Sequence, residues 1–596
     1  MDKKTIFILC LAIFIFSLRL ANIGEAIYDD EANFAYSLTV MDEYGFNSDF
    51  PSPQFFHLLY KPLVFFFGLE TWVFRIVPWI FGIFNTILIY FLAKRNFGVA
   101  AARWSTVLML ISFYPTLASL QFDVEGSMVT FFILLLFFSY LEYRRSAVSM
   151  REASIKEISS PSAHLSLMKK PLFWQIIAGL SLGFAVTVKY NSIYIVAPLI
   201  LMAFIDHHGL IKKVMKDLFL ICFIGALVFF AYLVLGMLIL PDQGSGAIHF
   251  FSWYTGFAEK YRPEGVSVLG VGMFLLWATP LFAGLFALAL FTERKSARPF
   301  ILWVGAAMIF YSLFLTYGAM DRYFMNTIPA LAIIGGICLQ RLQFRKREIL
   351  FGGVIGMMLL GLLFFINSLA VKYIPRFPEL YAQELLQGNA QFLFSFTSSS
   401  GPMFGVSFAT ILFSFLVGGY ALVWLLWSRL AKNKRKGGLN YLSCLSLHRG
   451  SRMALVLFLS MGMAFNIFLV TEYLFHPTTP DVSDVVHTML SEVKEKNLPY
   501  PIYVSDSGMM WYLNHEYWRE KYDLTHSRVL GIPDNELGED TSFVEQKIAA
   551  EGGTLLLLHW PPLHEDSPAR KVALLCSKEK SFFSQGKLIG ERYDCG

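Results

Sequence analysis

Three consecutive carboxylates, Asp29, Asp30 and Glu31, lie a few residues after the first long apolar segment of the chain. Like charges crowded beside a membrane are costly unless a proton, a cation or a substrate offsets them. A carboxylate in such a place can act as a general base that takes a proton from a hydroxyl group. The triplet is therefore the first candidate for chemistry in this sequence.

Further ionisable residues lie between later apolar segments. The short connection "FDVEG" contains Asp123 and Glu125, "TVKYNS" contains Lys189, and "GAMDRYF" contains Asp321 and Arg322. Taken singly, each is explained by the need of a short loop for polar residues. Taken together, carboxylates from early segments and cations from later ones suit a cavity where an anionic leaving group lies beside a carboxylate base.

Composition indicates the elements that must position these residues. The 596 residues are 56% hydrophobic and 16% charged, with a mean hydropathy of +0.53, whereas soluble domains average about 25% charged residues. The chain is therefore predicted to be an α-helical polytopic membrane protein. Apolar runs near the roughly 20 residues needed to cross a bilayer give about 13 predicted transmembrane helices, at 5–23, 72–93, 103–118, 126–142, 172–188, 192–206, 217–240, 266–291, 299–317, 323–340, 349–370, 404–428 and 453–474.

The distribution of Lys and Arg predicts the orientation of the chain. Loops such as "AKRNFGVAAAR", "IKKVMK" and "RLQFRKRE" fall on one side, whereas the connections on the other side hold few basic residues. Because cytoplasmic loops carry the excess of basic residues, we expect a plasma-membrane protein with a cytoplasmic N-terminus, read as a retained signal anchor. The carboxylate triplet then faces outward. The modest net charge of +5 calls for no nucleic-acid partner.

The sequence predicts two domains. Residues 1–475 would form the transmembrane domain, whose first outer loop, 24–71, has semi-apolar pieces expected to form helices along the membrane interface. Residues 476–596 would form an extracytoplasmic α/β domain, because "DVSDVVHTMLSEVKEKN" has a helical period and "PIYVSDS" and "GGTLLLLHW" have strand character. Cys576 and Cys595 lie in this tail, where a disulfide and two free thiols are both compatible with the sequence.

Over about 330 residues the chain resembles the membrane glycosyltransferases of the GT-C type, in the branch of the protein O-mannosyltransferases and the aminoarabinose lipid A transferases. The matching features come in the order of the family: Asp30-Glu31, "SPQFFHLLYKPLVFFFGLETWVFRIVPWIFG", Asp123 in "FDVEGSMVTFF", Lys189, and Arg322-Tyr323 followed by Pro329. Ser52 and Gln54 replace the usual His and second Pro, a departure that bears on donor or acceptor preference.

The resemblance implies roles for the acidic residues. Asp30 would be the general base that removes a proton from the acceptor hydroxyl, with Asp29 and Glu31 raising its basicity or orienting it. Asp123, together with Glu125, would bind the sugar or the acceptor. Alternatively, Asp123 and Asp30 would hold a divalent cation, and oxygen ligands suit Mg²⁺ or Mn²⁺. Some relatives need a metal and others do not, so the resemblance does not decide metal dependence.

The resemblance also implies roles for the basic residues. Lys189 and Arg322 would bind the phosphate of the donor and stabilise it as it leaves. Arg75 is a further candidate for this phosphate, with a salt bridge to a neighbouring helix as the alternative. Tyr323 is grouped with the phosphate-binding residues, with a packing role at the interface as its alternative.

The implied function is that of an inverting glycosyltransferase. It would move a sugar from a polyprenyl-phosphate donor to a hydroxyl on a glycan, lipid or protein acceptor at the outer face of the membrane. The alternative is a transporter or flippase for lipid-linked saccharides, or a protein associated with one. Transporters commonly have inverted repeats and binding sites near the midplane of the membrane, whereas this sequence has no evident repeat and its ionisable residues lie at the outer ends of the spans.

Overall fold

A computed structural model shows a largely helical chain. It describes residues 2–24, 31, 35, 54–68, 70–122, 126–156, 171–239, 274–275, 279–313, 321–342, 344–371, 378–395, 405–433, 449–476, 480–505, 509, 529–532, 541–559, 563, 567–584 and 587–596. Four of the predicted site residues, Asp29, Asp30, Asp123 and Glu125, lie outside these ranges.

The helices follow the apolar pattern of the sequence. In chain order the α-helices of the described residues are α1 (Lys3–Arg19), α2 (Gln54–Phe67), α3 (Thr71–Phe97), α4 (Val99–Leu110), α5 (Phe113–Ala118), α6 (Ser127–Lys156), α7 (Pro171–Val188), α8 (Val196–Asp206), α9 (Ile211–Ile239), α10 (Pro280–Thr292), α11 (Arg298–Leu313), α12 (Ile328–Leu339), α13 (Lys346–Ser368), α14 (Pro378–Leu386), α15 (Phe408–Asn433), α16 (Arg449–Phe475), α17 (Pro480–Glu495), α18 (Ser542–Glu551) and α19 (Pro568–Ala573). Short 3₁₀ helices span Leu20–Asn22, Tyr190–Ile195 and Asp321–Thr327.

The prediction of a polytopic helical membrane protein is confirmed. Among the described residues, nine helices have the length and composition needed to cross a membrane, and shorter apolar helices span Val99–Leu110, Tyr190–Asp206, Pro280–Thr292 and Arg298–Leu313. Each of the thirteen predicted apolar runs overlaps one of these helices. The apolar runs in the sequence therefore mark the positions of the helices, although several of these helices are short.

The run predicted at 103–118 is not one continuous helix. It divides into α4 and α5, which are separated by Ile111 and Ser112. Pro115 explains the break, because a proline in a helix clashes with the carbonyl four residues earlier, here that of Ile111. All six residues of α5 are buried. The chain therefore turns inside the protein just before the acidic connection at 123–125.

A mixed five-stranded sheet forms the C-terminal part of the chain. Its strands are β3 (Ile502–Val504), β4 (Val529–Gly531), β5 (Thr554–Leu558), β6 (Ser577–Ser584) and β7 (Lys587–Asp594), in the order β4-β3-β5-β7-β6. Strands β3, β4 and β5 are parallel, and β7 is antiparallel to both of its neighbours. The predicted strand in "GGTLLLLHW" is β5, and it is fully buried. Of the two alternatives for Cys576 and Cys595, the structure has the disulfide.

The loop between α13 and α15 contributes to the core of this sheet region. A hairpin of β1 (Leu393–Ser395) and β2 (Gly405–Ser407) lies in this loop. Ala370 and Leu393 pack into the same hydrophobic cluster as α17 and the Leu556 and Leu558 side chains of β5. The helical part and the sheet are thus joined by shared core packing as well as by the chain itself.

The first outer loop contains one of its predicted helices. Helix α2 buries Tyr60, whereas Phe65, Phe66 and Phe67 are exposed. An exposed aromatic group of this kind suits the boundary between lipid and water. The other predicted interfacial piece, at 32–45, lies almost entirely outside the described residues.

Candidate active site

Glu31 lies at the centre of a buried polar cluster. One of its oxygens, Oε2, lies 2.9 Å from an Arg75 guanidinium nitrogen, and neither side chain is accessible to solvent. Its other oxygen, Oε1, accepts a hydrogen bond of 2.6 Å from the backbone N–H of Phe122. Arg75 also donates to the carbonyl of Asn22 at the end of the first span. The sequence left two roles for Arg75, a contact to the donor phosphate and a salt bridge. This geometry is that of a salt bridge.

This cluster brings the two acidic sequences together. Asp30 is bonded directly to Glu31, and Asp123 follows directly on Phe122. The Glu31 carboxylate accepts a hydrogen bond from the Phe122 amide. The residue that follows Asp30 is therefore hydrogen-bonded to the residue that precedes Asp123. The rings of Tyr60 and Phe74 both pack on that of Phe122, with centroids 4.7 Å apart in each case.

The acidic connection is held from its other side as well. Asn85, in the middle of α3, donates a hydrogen bond of 2.8 Å to the carbonyl of Ser127, where α6 begins. Helix α3 therefore carries Asn85, which holds the chain after residues 123–125, and Arg75, whose partner Glu31 holds the chain before them. Asn85 was not among the sequence candidates, although an amide inside an apolar run is a signal of a buried polar contact.

Arg19 is a second residue that the sequence analysis missed. It is almost completely buried at the end of α1 and donates to the Pro115 carbonyl and to the hydroxyl oxygens of Thr116 and Ser119. These contacts tie α1 to α5, the helix that leads into the acidic connection. An arginine within the first apolar run is the signal that could have identified it.

The two predicted phosphate-binding cations meet at Tyr323. The Lys189 ammonium nitrogen lies 4.6 Å from the centroid of the Tyr323 ring, and the Arg322 guanidinium carbon lies 5.7 Å from it. Lys189 and Arg322 are both buried. Cations at such distances from an aromatic ring are attracted by its negative faces. The structure thus brings Lys189 to Arg322 and Tyr323, which lie more than a hundred positions further along the chain.

The segments that carry these cations pack against the elements that flank the acidic connection. The 3₁₀ helix Asp321–Thr327 contacts α5 and α6, and the 3₁₀ helix Tyr190–Ile195 contacts α6. Phe274 bridges the two sides, because its ring packs on Tyr114 of α5 and stacks on Phe324. The segments that carry the cations are therefore neighbours of the helices that flank residues 123–125.

A metal site is not assigned by the described residues. In the described ranges, no three His, Cys, Asp or Glu side chains converge in a way that would hold a metal ion. The predicted ligands Asp30 and Asp123 lie outside those ranges, as do Asp29 and Glu125. The side chain of Asp321 is likewise not described.

Part of the chain is similar in sequence to a known protein family. A family model for dolichyl-phosphate-mannose-protein mannosyltransferases matches residues 57–252, about a third of the chain. That segment includes Arg75, Asp123 and Lys189. No curated protein sequence matches the chain.

The fold was compared with those of solved protein structures. The crystal structure of ArnT from Cupriavidus metallidurans bound to undecaprenyl phosphate matches with a TM-score of 0.57 at 15% identity, over 99% of this chain and 97% of that chain. The archaeal oligosaccharyltransferase AglB from Archaeoglobus fulgidus matches with a TM-score of 0.47 at 11% identity, over 99% and 74% of the two chains. The S. cerevisiae Pmt1–Pmt2 complex matches with a TM-score of 0.32 at 18% identity, over 41% and 35%. The match to ArnT shows that the chain has the fold of the GT-C type membrane glycosyltransferases, as its sequence resemblance predicts.

Proposed function

We propose that the protein is an inverting glycosyltransferase that takes a sugar from a polyprenyl-phosphate carrier and transfers it to a hydroxyl acceptor at the outer face of the plasma membrane. The observation that carries the proposal is the meeting of two buried cations, Lys189 and Arg322, at the Tyr323 ring, beside the helices that flank the acidic connection. The fold shared with ArnT, which was solved with undecaprenyl phosphate, supports a lipid phosphate as the carrier.

The proposed reaction is a single displacement. Asp30 removes the proton from the acceptor hydroxyl as the hydroxyl oxygen attacks the anomeric carbon of the sugar. The bond between that carbon and the phosphate oxygen breaks, and the polyprenyl phosphate leaves with the electron pair. Lys189 and Arg322 stabilise the negative charge that develops on the phosphate. One attack from the face opposite the leaving group inverts the anomeric configuration.

The remaining polar residues position these groups. Glu31 and Arg75 hold the first acidic sequence against the Phe122 amide, and in this proposal they orient Asp30 rather than react themselves. Asp123 and Glu125 bind the sugar or the acceptor. Asp30 and Asp123 would be the ligands of a divalent cation, with oxygen atoms that suit Mg²⁺ or Mn²⁺, and loss of transfer on adding a chelator tests this.

The orientation belongs to the same proposal. With thirteen spans, the N-terminus would be cytoplasmic and the sheet region after residue 475 extracytoplasmic, next to the outer ends of the helices. The disulfide between Cys576 and Cys595 supports this placement, because disulfides persist in oxidising compartments outside the cytoplasm. We propose residues 1–475 and 476–596 as the two domains on this basis.

Binding of undecaprenyl phosphate to the purified full-length protein tests the proposed phosphate site. We expect Lys189→Ala and Arg322→Ala each to raise the dissociation constant at least about tenfold, because each removes a charge-assisted contact. Arg347→Ala is the matched control, since Arg347 is an exposed arginine in the first turn of α13. Unchanged binding in both site variants would contradict the proposal.

Cell-surface glycans distinguish transfer from transport. Mass spectrometry of cells that produce Asp30→Asn should show loss of the modified glycan, lipid or protein, while the purified variant still binds undecaprenyl phosphate. A flippase has no need of a base, so a variant that retains the modification in full would favour the alternative of lipid-linked saccharide transport.

A further inference from the structure

The two cations at Tyr323 share an unusual backbone setting. Lys189 has an extended conformation, with φ −148° and ψ 115°, directly after α7 and directly before the 3₁₀ helix Tyr190–Ile195. Arg322 lies inside the 3₁₀ helix Asp321–Thr327. Lys189 thus immediately precedes a 3₁₀ helix that leads into α8, and Arg322 lies within one that leads into α12. Short 3₁₀ turns are common at the ends of α-helices and as connectors between them.

Prolines account for the junction between each 3₁₀ helix and the α-helix that follows it. Pro198 lies near the start of α8, and an α-helix running back through it would bring its ring against the carbonyl of Tyr194. Pro329 lies at the second position of α12, where it has the same effect on the carbonyl of Met325. The sequence thus prevents a continuous α-helix just after each cation.

A buried side-chain hydrogen bond joins the two turns. The Tyr194 hydroxyl, at the end of the first 3₁₀ helix, donates to Asn326 Oδ1, near the end of the second, at 2.7 Å. Both side chains are at least 95% buried. This bond spans 132 positions of sequence and links the turn that follows Lys189 directly to the turn that contains Arg322.

The same two side chains also support the Tyr323 ring. Trp303 Nε1 donates to the Tyr194 hydroxyl at 3.2 Å, and Asn326 Nδ2 donates to the Tyr311 hydroxyl at 3.3 Å. Tyr311 in turn stacks on Tyr323, with centroids 6.0 Å apart and planes 17° apart. The network therefore reaches from helix α11 to the ring that both cations approach.

We propose that Tyr194 and Asn326 are positioning residues that set the separation of Lys189 and Arg322 and thereby shape the site for the phosphate end of the lipid carrier. The inference rests on the proposed function. Charge-assisted contacts to a phosphate oxygen are short, about 2.7–2.9 Å, and a shift of about 1 Å in a bound group can cost about a hundredfold in rate. A direct bond between the two supporting turns is a way to hold that geometry.

The test uses Tyr194→Phe, Asn326→Leu and the double variant in the full-length protein. Each single change should raise the dissociation constant for undecaprenyl phosphate about tenfold, and the loss in the double variant should be smaller than the product of the two single losses, because both changes remove the bond between Tyr194 and Asn326. Tyr420→Phe is the matched control. It removes a tyrosine hydrogen bond between α15 and α16, to the Ala454 carbonyl, far along the chain from both cations.

Affinity separates positioning from a purely structural role. A variant that only folds poorly lowers the amount of active protein and leaves the dissociation constant of the folded fraction unchanged. Wild-type affinity in Tyr194→Phe and Asn326→Leu would overturn the inference, and so would equal losses in Tyr420→Phe.

The same measurement keeps the two proposals apart. If Lys189→Ala and Arg322→Ala lose binding while Tyr194→Phe retains it, the inference fails and the proposed phosphate site stands. If none of the four single variants changes binding, the proposed phosphate site itself fails.

Discussion

The Glu31 carboxylate accepts a hydrogen bond of 2.6 Å from the backbone amide of Phe122, although 91 positions separate the two residues. The same carboxylate lies 2.9 Å from Arg75. One side chain therefore connects the first outer loop, the second span and the acidic connection that follows Phe122. Loss of this carboxylate should affect stability and the placement of both acidic sequences together.

We predict that Glu31→Gln destabilises the protein by about 3 kcal/mol, because breaking a buried ion pair leaves a charge in a site of low polarity. Thermal unfolding in detergent measures the change, and transfer activity should fall with it. Arg75→Gln combined with Glu31→Gln should recover part of the stability, since no buried charge is then left over. Glu551→Gln, in the exposed Glu551–Lys547 pair, should cost less than about 1 kcal/mol. Equal effects of the two glutamate variants would contradict the role assigned to Glu31.

Asp30 and Asp29 should differ in their effect on turnover. General base catalysis contributes about 10²–10⁴-fold, so we expect Asp30→Asn to lower kcat about a thousandfold while the affinity for undecaprenyl phosphate is retained. Asp29→Asn should lower kcat about tenfold or less, because it would act only through its neighbour. The readout is sugar transfer by purified enzyme with donor in excess. A larger loss in Asp29→Asn would move the base to that residue.

Tyr323 should act through its ring rather than through its hydroxyl. Lys189 and Arg322 both lie within 6 Å of the ring centroid, a distance at which the aromatic face attracts a cation. We therefore expect Tyr323→Phe to keep nearly normal affinity for undecaprenyl phosphate and Tyr323→Leu to lose about tenfold. If Tyr323→Phe binds as weakly as Tyr323→Leu, the Tyr323 hydroxyl contacts the phosphate and the ring is not the main contribution to the affinity for undecaprenyl phosphate.

The helices could be predicted from the sequence because hydrophobicity over about 20 residues is a strong local signal. The break between α4 and α5 was not predicted, because the average hydrophobicity of a segment does not reflect the clash of Pro115 with the Ile111 carbonyl. For 172–206, where the sequence analysis found two runs, the structure has a break at Lys189 with an extended residue and a 3₁₀ helix.

The site was predictable by residue type more than by contact. An arginine inside an apolar span identified Arg75 as a residue with a partner, yet no local pattern could say that the partner is Glu31. The grouping of Lys189 with Arg322 came from their positions between later apolar segments and from the family resemblance, whereas the shared Tyr323 ring depends on how distant helices pack. Asn85, Asn326 and Tyr194 were missed, because their contacts join elements far apart in the sequence.

A buried network in the sheet region should make its stability depend on pH. His559 Nε2 lies 2.7 Å from Glu591 Oε2, and the same carboxylate accepts from Tyr593 and contacts Lys578. Burial lowers the pKa of His559 below its usual 6.5, and this outweighs the opposing effect of Glu591. Burial alone would raise the pKa of Glu591, but hydrogen bonds from Lys578, Tyr593 and His559 leave it below its usual 4.5.

Both shifts have the same consequence for stability. The unfolded chain binds more protons than the folded one wherever the folded pKa is the lower of the two, so stability is lost as the pH falls. We predict a first loss below about pH 6.5, from His559, and a second below about pH 4.5, from Glu591. Hydrogen exchange of β5 and β7 in the full-length protein, followed between pH 7.5 and 4, measures both. His559→Gln should abolish the first loss and retain the second, and a pH profile identical to that of the wild type would show that folding does not change the pKa of His559.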